Sequence, residues 1–207
     1  MTKILLHICC GPCATHPATV LSQEYEVIGY FYNPNIWPYE EWLKRYGAFK
    51  KFCEESEAIS DYFPKIKSPL TPLLQRGEEE ISPWGGGEGG WEEEYKIEHQ
   101  KYLESVKGYE KEPEGGKRCP LCFTLRLDKA AKFASDNLID IFATTLTIGR
   151  NKRPEIINSI GQISADKYGI KFYEANWKKQ DGALKGKHIS DEHELYRQHY
   201  CGCEFSL

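Results

Sequence analysis

Seven of the eight cysteines in this 207-residue chain lie in three short clusters that are far apart in the sequence. Cys53 stands alone, and the clusters are Cys9-Cys10-Gly11-Pro12-Cys13, Cys119-Pro120-Leu121-Cys122 and Cys201-Gly202-Cys203. No cluster by itself supplies the four thiolates of a complete zinc or iron–sulfur site. A fold that uses these thiols must therefore bring at least two of the clusters together.

The N-terminus bears on the redox state of these thiols. The apolar run 4–6 is too short to span a membrane, and the first residues lack the basic start and small-residue cleavage site of a signal peptide. We therefore expect a cytoplasmic protein with no membrane partner. In that compartment clustered thiols stay reduced and hold a metal more often than they form disulfides.

Charge is unevenly distributed along the chain. The net charge is −4, which argues against an unspecific nucleic-acid binder, yet residues 111–200 carry 16 basic and 12 acidic residues. This local excess is compatible with an RNA substrate, although on charge alone an ordinary solvated surface is the commoner explanation.

Helix and strand patterns alternate through much of the sequence. Short apolar runs predict strands over 3–8, 26–32, 139–145 and 170–175. Amphipathic spacing predicts helices over 14–24, 39–60, 92–106, 120–135 and 154–168. The order favours a single α/β domain with a mostly parallel sheet. Sites form at the carboxyl ends of parallel strands, so the first cysteine cluster and the segment Thr144–Thr147 should face one crevice.

Residues 76–94 differ from the rest of the chain in composition. Glycine and glutamate dominate this segment, which also contains Trp84 and Trp91. The composition predicts a flexible, acidic insertion in the domain, and the two tryptophans leave open that it acts as a lid.

Three kinds of chemistry suit the clustered thiols. A structural zinc site, a redox dithiol and an iron–sulfur cluster all use cysteine, and an iron–sulfur cluster best tolerates dispersed thiolates of irregular spacing. Cys9 and Cys10 are neighbours, so we expect their side chains to diverge if the backbone there is extended. Four cluster ligands would leave three thiols for a second metal or a redox dithiol.

Five motifs along the whole chain resemble those of the QueH-type epoxyqueuosine reductases. They are Leu6-His7-Ile8-Cys9-Cys10-Gly11-Pro12-Cys13, then Tyr32-Asn33-Pro34-Asn35-Ile36 with Pro38-Tyr39-Glu40-Glu41, then Glu112 through Cys122 with Arg126-Leu127, then Thr144-Thr145-Leu146, and finally Tyr196-Arg197-Gln198 with Tyr200-Cys201-Gly202-Cys203.

The resemblance implies a fold, cofactors and a reaction. The fold would be a three-layer α/β domain of the HUP (adenine nucleotide alpha-hydrolase-like) class. The cofactors would be a [4Fe-4S] cluster and an additional mononuclear iron, and the partners a tRNA carrying epoxyqueuosine and an electron donor of unknown identity. The reaction would be the last step of queuosine synthesis, in which the epoxide takes up two electrons and two protons and loses water to give the cyclopentene.

The resemblance also suggests roles for individual residues. We expect Cys10, Cys119, Cys122 and either Cys201 or Cys203 to bind the cluster, with Cys9, Cys13 and the remaining terminal cysteine nearest the second iron. The other candidates are His7 and Tyr32 as proton donors, Asp181 and Asp191 as carboxylates near the second iron, Arg118, Arg126 and Arg197 as anchors for RNA, and Asn33 and Asn35 as readers of a base edge. Structural roles stay open for each of these.

Two other functional classes compete with a reductase. A zinc-stabilised RNA-binding module would use the cysteines only for structure, and a tRNA-thiolating ATP pyrophosphatase would share the α/β architecture. The second class needs a Ser-Gly-Gly-x-Asp-Ser type phosphate loop after the first strand. Cys9-Cys10-Gly11-Pro12-Cys13 occupies that place here, which argues against ATP use.

Overall fold

A computed structural model describes residues 1–56 and 91–206 of the chain. The described residues include four strands, which form one all-parallel sheet in the order β2-β1-β3-β4. The strands are β1 (Thr2–His7), β2 (Tyr25–Tyr30), β3 (Ile141–Thr144) and β4 (Lys171–Phe172). Most of the predicted insertion, residues 76–90, lies outside the described residues.

Six α-helices lie in the described part of the chain. They are α1 (Gly11–Leu21), α2 (Tyr39–Glu55), α3 (Trp91–Ser105), α4 (Arg118–Asp136), α5 (Pro154–Tyr168) and α6 (Gly182–Glu192). Short 3-10 turns follow β3 at Leu146–Ile148 and lie at the end of the described residues at Glu204–Ser206.

The central strand β1 is buried on both faces, and its alternating side chains enter two separate cores. Ile4 and Leu6 pack with side chains of α1 and α2, whereas Leu5 packs with side chains of α4 and α5. A strand covered on both faces is continuously apolar, as β1 is. The predicted three-layer α/β architecture is therefore confirmed.

The predicted elements are confirmed in kind, with small differences at their ends. The helix predicted over 154–168 has those bounds, whereas the helix predicted over 39–60 ends at Glu55, and 57–60 lie outside the described residues. The sequence prediction missed α6, because Gly182 and Gly186 weaken the helical signal of this segment. Both glycines are buried, and α6 packs on α1.

The turn between β1 and α1 depends on a close helix contact. A Cβ atom at Gly11 would lie 2.7 Å from the backbone carbonyl atoms of Ala48 in α2. Glycine at this position therefore lets the start of α1 approach α2 and fixes where the first cysteine cluster lies.

Candidate metal centre

The three thiols of the first cluster converge after β1. The Sγ atoms of Cys9, Cys10 and Cys13 all lie within 4.8 Å of one another, and those of Cys9 and Cys10 are 4.0 Å apart. The expectation that Cys9 and Cys10 diverge is therefore wrong. Alternation of side chains applies within a regular strand, but β1 ends at His7. A bend at Cys9 precedes Cys10, which is extended and caps α1, so the alternation of β1 does not continue through both cysteines.

Neighbouring polar groups hold two of these sulfur atoms in place. Thr145, which follows β3, accepts a hydrogen bond from the Cys9 amide at 3.1 Å and donates its hydroxyl to Cys9 Sγ at 3.3 Å. Gln198 donates its side-chain amide to Cys10 Sγ at 3.0 Å. The predicted crevice between the ends of β1 and β3 is thus confirmed.

Hydrogen bonding distributes the charge of the first cluster unequally. Hydrogen bonds from the Cys10 and Cys13 thiols hold the pKa of Cys9 well below its usual range, and the nearby Arg126 acts in the same direction. Burial raises the pKa of Cys10 to about 12. Cys9 is therefore the most acidic thiol of this group, and metal binding would displace the protons that the three thiols still carry.

The other four thiols line one small cavity. Cys119 and Cys122 come from the first turns of α4, and Cys201 and Cys203 come from the C-terminal segment. The Gly115 amide donates to Cys119 Sγ at 3.1 Å, and the Tyr102 hydroxyl of α3 lies 2.9 Å from Cys203 Sγ. The structure thus brings together thiols that are about 80 positions apart in the sequence.

Burial, hydrogen bonds and nearby charges shift the pKa values of the thiols in this cavity in different directions. A hydrogen bond from Cys203 lowers the pKa of Cys201 to about 5, and the nearby Lys152 ammonium supports the same shift. Burial raises the pKa of Cys122 against the opposing effect of Arg126 and Lys152. Lys152 is itself half-buried and pairs with Glu114 at 3.3 Å. The described lining of the cavity therefore places three cationic side chains, Arg118, Arg126 and Lys152, beside the four thiols.

A larger cleft of about 780 Å³ connects the two thiol groups. Cys9, Cys13 and Cys201 all line it, and Arg126 and Lys152 line both this cleft and the small cavity. Among the described residues, the lining of the cleft includes one carboxylate, that of Glu114, and seven lysine or arginine residues; they are Arg45, Arg126, Arg150, Lys152, Lys178, Lys187 and Arg197. The cleft is therefore strongly basic although the chain as a whole is acidic.

Three predicted substrate-binding residues lie at the junction of the two thiol groups. Asn33 is fully buried, donates to the Ile8 carbonyl at 2.9 Å and accepts a hydrogen bond from Arg126. Asn35 lines both cavities, and its buried Oδ1 has no hydrogen-bond partner within the described residues. The buried Nε of Arg126 also lacks a partner there.

The contacts of His7 and Tyr32 point into the domain. His7 Nε2 lies 3.1 Å from the Tyr32 carbonyl, which can only accept, so Nδ1 accepts from the Thr144 hydroxyl at 2.9 Å. Burial lowers the pKa of His7 to about 3, so its ring is neutral. The Tyr32 hydroxyl donates to Glu98 at 2.6 Å. These contacts explain both residues structurally, and their roles as proton donors stay predictions.

The remaining predicted site residues lie in different surroundings. Buried Arg118 lines the small cavity and donates to the carbonyls of Tyr109, Glu110, Glu112 and Phe205. Arg197 lines the cleft, 3.9 Å from Asp191. Asp191 is exposed and also pairs with Lys187, while Asp181 is exposed at the start of α6. Neither aspartate lines the cleft.

Sequence reasoning missed several residues that contact the thiols or line the cleft. Gln198 lies three residues before Cys201, and Lys152 lies in the loop that follows β3, so position relative to the motifs could have indicated both. Arg45 gave no such signal, because it reads as an ordinary charged residue in a helix. Only the tertiary structure shows that it is buried beside the cleft.

A parallel α/β domain that gathers seven free thiols beside a basic cleft defines a thiol-rich α/β protein with a candidate metal centre. The family model described as epoxyqueuosine reductase QueH matches residues 4–67 and 89–207. The chain therefore belongs to the QueH family, whose members are oxidoreductases. The residues between the matched stretches, 68–88, lie largely within the predicted insertion.

Curated relatives agree with the family model. An epoxyqueuosine reductase QueH from Streptococcus pyogenes serotype M1 is 34% identical over 99% of this chain and 70% of that protein. Relatives of the same name from Acinetobacter baylyi and Thermotoga maritima are 33% and 31% identical over 99% and 100% of this chain, and over 80% and 91% of their own lengths. Among the described residues, no helix has the length and apolar character needed to cross a membrane.

Proposed function

We propose that this chain reduces epoxyqueuosine in tRNA to queuosine at the cleft between the two thiol groups. The observation that carries the proposal is that a basic cleft leads directly to clustered, free thiols. Glu41 and Asp191 pair with some of the cations that line the cleft, but the basic side chains are still in excess and suit the phosphates of a polyanionic substrate. Thiols at the cleft wall suit a redox centre that must meet the modified base.

The donor set fits the cofactors that the family resemblance implies. All seven clustered thiols are free, and they are the soft ligands that iron–sulfur clusters use. When bound, a [4Fe-4S] cluster and an adjacent iron would supply single electrons and a Lewis-acidic position. Zinc suits thiolates as well, so the identity of the metal is part of the experimental test.

The arrangement of the thiols supports a new division between the two metal sites. We assign Cys119, Cys122, Cys201 and Cys203 to the cluster, because all four line one cavity. Cys9, Cys10 and Cys13 would then hold the second iron, because their sulfur atoms lie within 4.8 Å of one another. This division differs from the one predicted from the sequence in the place of Cys10 and of one terminal cysteine.

Two polar side chains at the junction would orient the substrate. Asn35 Oδ1 offers an acceptor and Arg126 Nε offers a donor, and both are buried without a partner in the described part of the chain. Buried polar atoms are normally hydrogen-bonded, so an orphaned pair at a cavity wall points to a ligand. Asn33 holds the Arg126 guanidinium in position. Hydroxyl groups and the epoxide oxygen of the modified base would satisfy both atoms.

Analysis of nucleosides by mass spectrometry tests the proposed reaction. The chain is reconstituted anaerobically with iron and sulfide, reduced with dithionite and incubated with tRNA that carries epoxyqueuosine. We expect the nucleoside to lose about 16 Da, the mass of one oxygen atom, as epoxyqueuosine becomes queuosine. We also expect the reconstituted protein to contain iron and sulfide. A colourless, air-stable protein that binds only zinc and leaves the nucleoside unchanged would favour the RNA-binding alternative. Turnover of ATP with tRNA would also contradict the reductase.

Replacing Asp191 with asparagine should strengthen the binding of tRNA. Asp191 is exposed and neutralises Lys187 and Arg197, which both line the cleft. Removing its charge should lower the Kd for tRNA about twofold to fivefold at low salt, with the effect fading as salt increases. A filter-binding titration at two salt concentrations measures this change. A large loss of turnover would instead support the predicted role of Asp191 at the second iron. Asp136→Asn is the matched control, since Asp136 is exposed, pairs with Lys132 and does not line the cleft.

A further inference from the structure

The C-terminal segment 196–203 lies against one buried arginine of α2. Arg45 is 2% exposed, and its guanidinium donates to the carbonyls of Cys201 at 3.0 Å and Tyr200 at 3.2 Å. The guanidinium also lies 5.1 Å from the centre of the Tyr200 ring. One side chain of α2 therefore contacts the backbone that carries two of the seven thiols.

Glu41 completes a charged network at this contact. Its carboxylate accepts a hydrogen bond from Arg45 Nε at 2.7 Å, and its other oxygen accepts one from the Tyr196 hydroxyl at 2.7 Å. A buried ion pair is weak evidence for stability, because desolvation offsets much of the attraction. Here the pair fixes the direction of the guanidinium, since Glu41 occupies Nε and leaves both terminal nitrogens for the C-terminal carbonyls.

The backbone of the segment is shaped to admit this arginine. Gly202 has φ of +102°, and a Cβ atom there would lie 2.7 Å from Arg45 Nη1 and 2.9 Å from a side-chain carbon of Ile36. The Gly202 carbonyl also accepts from the Trp37 amide at 2.8 Å, and the Tyr200 hydroxyl donates to the Trp37 carbonyl at 2.7 Å. Glycine between the two cysteines is therefore required by conformation and by space.

We propose that Arg45 is the positioning residue that holds Cys201 and Cys203 in the metal centre. The thiols themselves have other hydrogen-bond partners. Cys201 Sγ lies 3.1 Å from the Ser206 hydroxyl and accepts from the Cys203 amide at 3.5 Å, and Cys203 Sγ lies 2.9 Å from the Tyr102 hydroxyl of α3. Arg45 fixes the backbone of the segment that carries Cys201 and Cys203, and thereby sets the distance of both thiols from Cys119 and Cys122. The inference deepens the proposed function, because it names what assembles the four-thiol site.

Alkylation of individual cysteines measures this role directly. The full-length reduced chain, with and without reconstituted iron, is treated with iodoacetamide, and modification is followed peptide by peptide with mass spectrometry. In Arg45→Met we expect Cys201 and Cys203 to react about tenfold faster than in the parent chain, because the segment opens locally. Cys119 and Cys122 of the iron-free chain should keep their rates, and less iron should be retained.

Two further variants keep the inference testable if Arg45→Met unfolds. Gly202→Ala pushes the segment away from the guanidinium while the Arg45–Glu41 pair stays intact, so it should give the same faster alkylation. Arg45→Lys keeps the charge without the forked geometry, so its alkylation rates at Cys201 and Cys203 should lie between those of the parent chain and those of Arg45→Met. Lys50→Met is the matched control, since it removes an exposed ion pair with Glu54 from the same helix and should change neither rate nor iron content.

The outcomes separate this inference from the proposed function. Parent-like alkylation rates and iron content in folded Arg45→Met and Gly202→Ala would overturn the positioning role, whatever the reductase activity. If the reconstituted parent chain does not reduce epoxyqueuosine, the proposed reaction is contradicted. Faster alkylation of Cys201 and Cys203 in the variants of that chain would still support the positioning role. The alkylation assay needs no substrate, so each result bears on one claim.

Discussion

Replacing Cys122 with alanine is expected to abolish metal retention at the four-thiol cavity and to lower reductase activity at least about a hundredfold. Residues that only hydrogen-bond to metal ligands already change metal affinity or activity by about 10- to 100-fold when they are replaced, so the loss of a ligand should cost at least as much. Cys122 is buried at the first turns of α4 and lines the cavity with Cys119, Cys201 and Cys203. Alanine offers no ligand atom, so the cavity would keep only three of its four thiols. Bound iron and sulfide and kcat/KM on epoxyqueuosine-bearing tRNA measure the effect.

Cys53→Ala is the matched control for this prediction. Cys53 is also a buried helical cysteine, but its thiol donates to the Phe49 carbonyl within α2 and lines neither cavity. The variant should lose about 1 kcal/mol of folding stability through the small cavity it leaves. It should retain iron and activity. Equal iron and activity in the two variants would contradict the assignment of Cys122.

Arg126→Met is expected to impair both metal binding and turnover. Arg126 helps to lower the pKa of Cys9 and opposes the rise at Cys122, so it favours the thiolates that bind metal. Without the guanidinium these pKa values rise and protons compete better with the metal. The pH midpoint of metal binding should therefore move upward by about one unit. A titration of metal binding against pH, followed by the sulfur-to-metal absorption, measures the shift.

The same variant should lower turnover about a hundredfold, because the buried Nε is proposed to contact substrate next to the thiols. Arg150→Met is the control, since it removes an exposed cation from the cleft lining. That change should weaken tRNA binding and leave the pH midpoint where it is. If the pH midpoint of metal binding moves equally in both variants, the shift arises from the overall positive charge of the cleft and Arg126 has no special role.

The order of the helices and strands could be predicted from the sequence, because the burial of each element determines its pattern of apolar residues. Ile4, Leu5 and Leu6 are continuously apolar since β1 is covered on both faces, and the spacing in α5 gave its ends correctly. The same method missed α6, whose glycines serve close packing on α1. Local propensity and tertiary packing disagree at such a helix, and packing decides.

The grouping of the thiols needed the folded chain. Sequence spacing suggested that Cys9 and Cys10 diverge, and only the turn after His7 brings their sulfur atoms 4.0 Å apart. Likewise, the contacts of the two His7 ring nitrogens with Thr144 and with the Tyr32 carbonyl could not be predicted from the sequence. Hydrogen bonds between distant segments have no signature in the spacing of residues.

The sequence by itself determined the alternation of helices and strands, the family, and which seven cysteines lie in clusters, because these depend on residue types and local order. The tertiary structure decided that the thiols divide into groups of three and four, that a cleft of about 780 Å³ joins them, and that Arg45 supports the C-terminal pair. The physical reason is that distances between remote segments are set by packing of whole elements on the sheet. No single stretch of the chain encodes those distances.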